Sequence, residues 1–169
     1  MTKEAHVHYK RYKALYRHQE YALALEEANA AVAADPTFAL GYISRGYALR
    51  RLGRRNEALA AVEQALGLAP DNPFALSVKG AVLGELGRSE EARETFERAL
   101  AIAGEKHRAA LHYDFACFWA GRGGADECRE HIKTAVDLYP QYKVMAATDP
   151  DLTVFAETVW FQNLVAFAR

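Results

Sequence analysis

Cysteine occurs twice in 169 residues, proline five times, and the β-branched residues Val, Ile and Thr supply only 20 positions. Two thiols, Cys117 and Cys128, are too few to staple a small secreted domain, and no Asn-x-Ser/Thr acceptor is present. A reducing, cytoplasmic compartment is therefore expected. The basic opening MTKEAHVHYKRYK is not followed by an apolar stretch, which argues against a secretory signal, and no apolar run is long enough to cross a bilayer. The scarcity of β-branched residues disfavours a large sheet. An excess of charge of either sign is also missing, since the net charge is −1. What the chain has instead is 33 Ala and 17 Leu, both strong helix formers. The length suits one domain of about 100–200 residues or an array of that size, and the class expected is all-α.

Comparison of the chain with itself gives the architecture. Pro36 and Pro70 lie 34 residues apart, as do Gly46 and Gly80, Gly53 and Gly87, and the members of the series Ala24, Ala58, Ala92 and Ala31, Ala65, Ala99. The pattern continues through Ala116, Gly123, Cys128, Ile132, Ala135 and Pro140, displaced by 36 instead of 34. Two extra residues near Gly104–Arg108 predict a slightly longer turn there. Each period reads as a first helix A, a glycine turn, a second helix B and a proline. Gly53, Gly87 and Gly123 fall where helix A ends and a left-handed residue closes it cheaply. Asp71 and Asn72 are both able to cap the helix that Pro73 opens. Small residues on helix A (Gly46, Gly80, Ala116) are expected against small residues on helix B (Ala58, Ala92, Cys128), with Val62, Phe96 and Ile132 filling the space beside them. In the first period the sizes are exchanged, with Tyr12 at the small site and Ala28 at the large one.

The residues Gly46-x-x-Leu49-x-x-x-Gly53 with Ala58, Val62, Ala65 and Pro70, and Gly80-x-x-Leu83-x-x-x-Gly87 with Ala92, Phe96 and Ala99, resemble the tetratricopeptide repeat. Leu15, Tyr21, Ala24, Ala31 and Pro36 carry the same likeness into the first unit. The resemblance covers about residues 5–140 and implies a right-handed α-solenoid of four units, about 3–36, 37–70, 71–104 and 105–140, within one continuous domain. A helical cap would occupy 141–169, similar to the closing segment of bacterial arrays. Within it a helix is expected to start at Asp149-Pro150-Asp151, with an apolar stripe of Leu152, Phe155, Val159, Trp160, Leu164 and Phe167 near helical spacing.

The resemblance also implies a concave groove, lined by the A helices, that holds a peptide or extended protein segment. By register its candidates are Tyr9, Lys10, Lys13, Tyr16 and Arg17, then Ile43, Tyr47, Arg50 and Arg51, then Phe74. The chain up to residue 55 carries ten Lys/Arg against five Asp/Glu, and the remainder eleven against seventeen. The first two units would therefore suit an acidic and apolar partner. The plainer reading is that the cations form a solvated face and the tyrosines fill gaps between units. Both readings stand on the sequence. In the Hsp70/Hsp90 co-chaperone subset the groove clamps a terminal carboxylate, but the matching positions here hold Tyr9, Lys13, Ser44, Phe74 and Val78, with a single cation among them. That ligand is disfavoured.

Other chemistries find little footing. Cys128-x-x-His131 shares a helical face, with His112, Asp114 and Cys117 on the neighbouring helix, but four ligands at zinc spacing are not found. No metal, cofactor or enzymatic activity is expected, since no phosphate loop or nucleophile elbow occurs. The basic, tyrosine-bearing N-terminal segment is too short, in a slightly acidic chain, to argue for nucleic acid. The partner expected is a protein or peptide. A second copy of the chain is the alternative, joined through the apolar tail at Trp160 and Phe161 with help from Val165 and Phe167.

Overall fold

A computed structural model describes residues 1–166. The described residues are helical throughout, with no strand among them. The chain forms two compact units, Met1–Ala99 and Leu100–Arg169.

In the first unit α1 (Lys3–Arg17) pairs with α2 (Tyr21–Ala34), and α3 (Ala39–Arg51) with α4 (Arg55–Leu68). Next come α5 (Pro73–Glu85) and α6 (Ser89–Ile102), the latter running across the boundary between the units. The glycine turns have the expected cause. Gly53 and Gly87 close α3 and α5 at φ +73° and +80°, a region that costs glycine nothing. The first unit reaches the same turn with Gln19 at φ 61°, and a side chain there carries local strain. Asn72 caps α5, its side-chain oxygen accepting from the Phe74 and Ala75 amides at 3.0 and 3.1 Å. Asp71 turns away instead, accepting from Arg98 at 3.0 Å. At the end of α2 the buried Asp35 carboxylate accepts from the Thr37 hydroxyl and amide at 2.7 and 3.1 Å, and from the Thr2 amide at 2.8 Å. The bond from the Thr37 hydroxyl is the main cause holding this carboxyl down to about 2.

The helices of a pair approach closely because glycine on helix A faces a large side chain on helix B. A methyl group built on Gly80 would meet the Phe96 ring at 2.8 Å, and one on Gly46 would meet Val62 Cγ1 at 2.6 Å. The Ala58 carbonyl lies 3.6 Å from the methyl position on Gly46, and the buried Val62 and Phe96 fill the hollow the glycines leave. One period earlier, Tyr12 and Ala28 are both buried in the same core.

The second unit holds α7 (Glu105–Ala120), α8 (Ala125–Leu138), α9 (Tyr142–Thr148), a 3-10 segment (Pro150–Phe155) and α10 (Val159–Val165). Gly123 closes the α7 turn at φ +73°. The two extra residues do not lengthen the preceding turn. α6 ends at Ile102, α7 begins at Glu105, and α7 is 16 residues long where α3 and α5 have 13. With no proline to stop it, this Ala-rich sequence extends the helix.

The tail is likewise not one helix. The capped segment at Asp149 is a 3-10 turn that ends after Phe155, and α10 starts anew at Val159. Leu152, Phe155 and Phe161 nonetheless bury against Tyr113, Ala116, Cys128 and Ile132 of α7 and α8. Phe167 lies outside the described residues.

Gly80→Ala is expected to destabilise the fold by about 1–3 kcal/mol, the usual cost of overpacking. In combination with Phe96→Leu the two losses should fall short of additive by about 1 kcal/mol or more. Urea melts of the two single variants and the double variant measure this, and strict additivity would show that the two residues do not share one contact.

Candidate interaction surface

The helix A elements of the first unit, α1, α3 and α5, pack side by side, so their outward residues share one surface. Its aromatic part is a continuous ladder. Tyr9 stacks on Tyr12 with ring centroids 6.2 Å apart and meets Phe38 edge-on at 5.6 Å. Tyr12 then meets Tyr16 at 5.5 Å, and Tyr16 reaches Tyr47 of α3 at 6.1 Å and Tyr21 of α2 at 5.3 Å. Tyr12 is buried, while Tyr9, Tyr16, Tyr47 and Phe74 are half-buried against the core. Burial raises the Tyr9 and Tyr12 hydroxyls above their ordinary pKa, so both remain neutral hydrogen-bonding groups.

The cations of the surface divide into two kinds. Arg50 gives its Nε–H to Glu85 at 2.6 Å, and Arg55 lies 3.4 Å from the same carboxylate. Arg51 sits over the Tyr21 ring at 5.0 Å. On α1, Lys13 lies 5.0 Å above the Tyr9 ring and Arg17 donates to the Lys13 carbonyl at 3.2 Å. Lys10, Lys13 and Arg17 are exposed, and none has a carboxylate within ion-pair distance among the described residues. The structure thus gathers Tyr9, Lys10, Lys13, Tyr16, Arg17, Tyr47, Arg50, Arg51 and Phe74 into the first unit's helix A layer. Ile43 is different: it is only 4% exposed and belongs to the core beneath.

The tail candidates also separate. Phe161 is 4% exposed and packs in the second core, where Trp160 meets both it and Phe155 with ring centroids at 5.5 and 5.2 Å. Phe161 is therefore committed to covering α7 and α8, while Trp160 is half-buried beside it. The apolar groups that face solvent are Val144, Met145, Val154 and Val159, the last two at 65% and 72% exposure.

Two arrangements were not read from the sequence. His112 and His131 place their Nδ1 atoms 2.9 Å apart, sharing a hydrogen bond. The signal for it was the period itself. Residues 19 apart face each other across a helix pair, as His8 and Glu27 do at 2.6 Å, and His112 and His131 hold the same positions in the fourth pair. Cys117, Asp149 and Asp151 also bring one donor atom each within 4.8 Å of one another. There the Asp149 carboxylate already accepts from the Tyr113 hydroxyl at 2.8 Å and from the Asp151 amide at 2.9 Å. Burial pushes the Cys128 thiol up to about 12, which suits a packing role between helices.

Two tetratricopeptide-repeat family models match the chain, over residues 39–72 and 75–106. The chain is a tetratricopeptide-repeat protein. No curated protein matches it significantly by sequence. Among solved tetratricopeptide-repeat structures, it is similar to the protein TTC0263 of Thermus thermophilus at 21% identity, covering 90% of this chain and 79% of that one with a TM-score of 0.71. It is also similar to PilW, a type IV pilus biogenesis factor, at 20% identity over 98% and 79% of the two chains, TM-score 0.71. The first repeat domain of Spaghetti (RPAP3), solved with an HSP90 peptide, shares 24% identity over 60% of this chain and 81% of that one, TM-score 0.58. At these identities the likeness is one of fold. Among the described residues of the tetratricopeptide-repeat chain, no helix is long and apolar enough to cross a membrane.

The histidine pair makes stability depend on pH. Burial, then the neighbouring His131 and Arg108, hold His112 down to about 4, and burial lowers His131 as well. The unfolded chain, with an imidazole pKa of about 6.5, binds these protons more readily than the folded one. Stability is therefore expected to fall as pH drops from about 6.5 towards 4. Thermal melts across this range, with a chelator present, should show a shallower dependence for His112→Gln than for the parent.

Proposed function

We propose that the chain is a protein–protein interaction scaffold that holds an extended, acidic and apolar segment of its partner against the helix A layer of its first unit. The observation that carries this reading is the pairing of an aromatic ladder with cations that have no carboxylate within ion-pair distance among the described residues, Lys10, Lys13 and Arg17 on α1. Tyrosine rings offer apolar area with a polar edge, and ammonium and guanidinium groups attract carboxylates. The repeat family supports the general role, as does the solved repeat domain bound to a peptide. A clamp on a terminal carboxylate is not part of this reading, because Tyr9, Ser44, Phe74 and Val78 leave Lys13 as the one cation at those places.

Arg50 contributes less than its position suggested, since Glu85 already meets its charge. The test is fluorescence anisotropy with a labelled peptide alternating Glu and Leu. Lys10→Glu combined with Lys13→Glu should weaken binding at least tenfold, and the remaining binding should lose its salt dependence. Binding that is unchanged by this double reversal would overturn the reading.

A second reading, self-association through the tail, is favoured by the exposure of Val154 and Val159. Trp160 and Phe161 would support that face from within. Light scattering at high concentration should then show a dimer that Val154→Glu with Val159→Glu returns to monomer. A monomeric parent would end this alternative.

A further inference from the structure

The second unit is slightly acidic, with seven Lys/Arg against nine Asp/Glu over residues 100–169. Three of those seven cations nevertheless line one cavity. Arg129 and Lys133 stand one turn apart on α8, and Lys143 comes from the first turn of α9. None of the three has a carboxylate within ion-pair distance among the described residues. Suitable acids are close in sequence: Lys133 has Glu130 three residues before it and Asp137 four after. At the same spacing Arg93 of α6 pairs with Glu90 at 3.1 Å and Glu97 at 2.6 Å. On α8 no such pair forms, and Lys133 lines the cavity instead.

The cavity lies where α8, α9 and α10 meet and has a volume of about 370 Å³. Its apolar wall is the half-buried indole of Trp160, with Leu164 one turn further along α10. Phe155 and Phe161 pack on that indole with ring centroids at 5.2 and 5.5 Å, which holds the wall in place. Asn163 adds a carboxamide donor, and Asp137 is the one acid in the lining.

Two features define a ligand. The first is charge. Three cations less one carboxylate leave two positive charges, which a phosphomonoester matches with its charge of about −1.5 to −2 at pH 7 and a carboxylate meets only by half. Arg129 also suits a phosphate, whose oxygens accept two parallel N–H bonds from one guanidinium. The second feature is the indole beside those charges, a flat apolar surface on which an aromatic ring packs. We propose that this cavity is a binding site for a phosphomonoester borne on an aromatic ring. The phosphate oxygens accept from Arg129, Lys133 and Lys143, and the ring lies against Trp160 and Leu164. Asp137 limits the anionic charge the cavity accepts, which favours a single phosphate over a polyphosphate chain. The site takes no residue from the surface proposed for the first unit.

The test is titration of the full chain with phenyl phosphate at pH 7, followed through the indole N–H resonances of Trp160 and Trp119. Saturable binding at one site per chain is expected, shifting Trp160 and leaving Trp119 in place. Phenyl sulfate keeps the ring but carries one negative charge, and inorganic phosphate keeps the charge but lacks the ring, so each should bind at least tenfold more weakly. Lys133→Gln and Lys143→Gln should each weaken phenyl phosphate several-fold, whereas Lys10→Gln with Lys13→Gln should leave it unchanged. Parallel titrations with N-acetyl-phosphotyrosine amide and with adenosine monophosphate distinguish a phosphorylated side chain from a nucleotide as the source, the tighter of the two naming it. The proposal fails if phenyl phosphate does not bind at millimolar concentration, if phenyl sulfate or inorganic phosphate binds as tightly, or if the Lys133 and Lys143 variants bind as the parent does. In case those variants unfold, the parent alone decides: phenyl phosphate that shifts Trp119 and leaves Trp160 in place also overturns it.

Discussion

Backbone-to-backbone approach within a helix pair is the constraint on which the rest depends. Gly46 and Gly80 have no side chain because Val62 and Phe96 already occupy the space a methyl group would need. With that contact made, Ala58 and Ala92 are drawn to zero exposure, and the outward positions of α1 and α3 come side by side. The tyrosine ladder exists because two A helices from successive pairs sit close enough for Tyr16 to touch Tyr47. Surface chemistry in this protein is therefore downstream of a glycine.

Charge on the same surface is shaped by the period as well. Glu85 closes α5 near the end of α3, where it meets Arg50 and Arg55 together. A single carboxylate thus quiets two of the cations that made the first 55 residues look uniformly basic. The unanswered positive charge is concentrated on α1. Simple counting along the sequence registered the excess but could not register which cations were answered across a helix boundary.

Much of the fold was legible in the sequence because its signals are local or periodic. Gly53, Gly87 and Gly123 mark left-handed turns by their chemistry alone, and Pro73 with Asn72 marks a helix start. Two features were misread for a common reason. The extra residues before α7 and the stripe after Asp149 were judged by spacing, while the outcome depended on where a helix is stopped. Absent proline let α7 begin at Glu105, and a tight 3-10 turn at Pro150–Phe155 broke the tail before α10. The site was less legible than the fold. Ile43 and Phe161 have the composition of contact residues, yet the core claims both, and the His112–His131 contact emerges only when the 34-residue period is used to ask what faces what.

The exchanged sizes at Tyr12 and Ala28 mean that the repeats are not interchangeable parts. Moving α1 against α4 would set a tyrosine against Val62, and moving α3 against α2 would leave a glycine opposite an alanine and a void between them. Each helix A is keyed to its own helix B, so the chain carries an internal address system that fixes which helices pair. Shuffling or duplicating a unit by recombination would be tolerated only as a whole A–B pair, cut at the turns near Pro36 or Pro70.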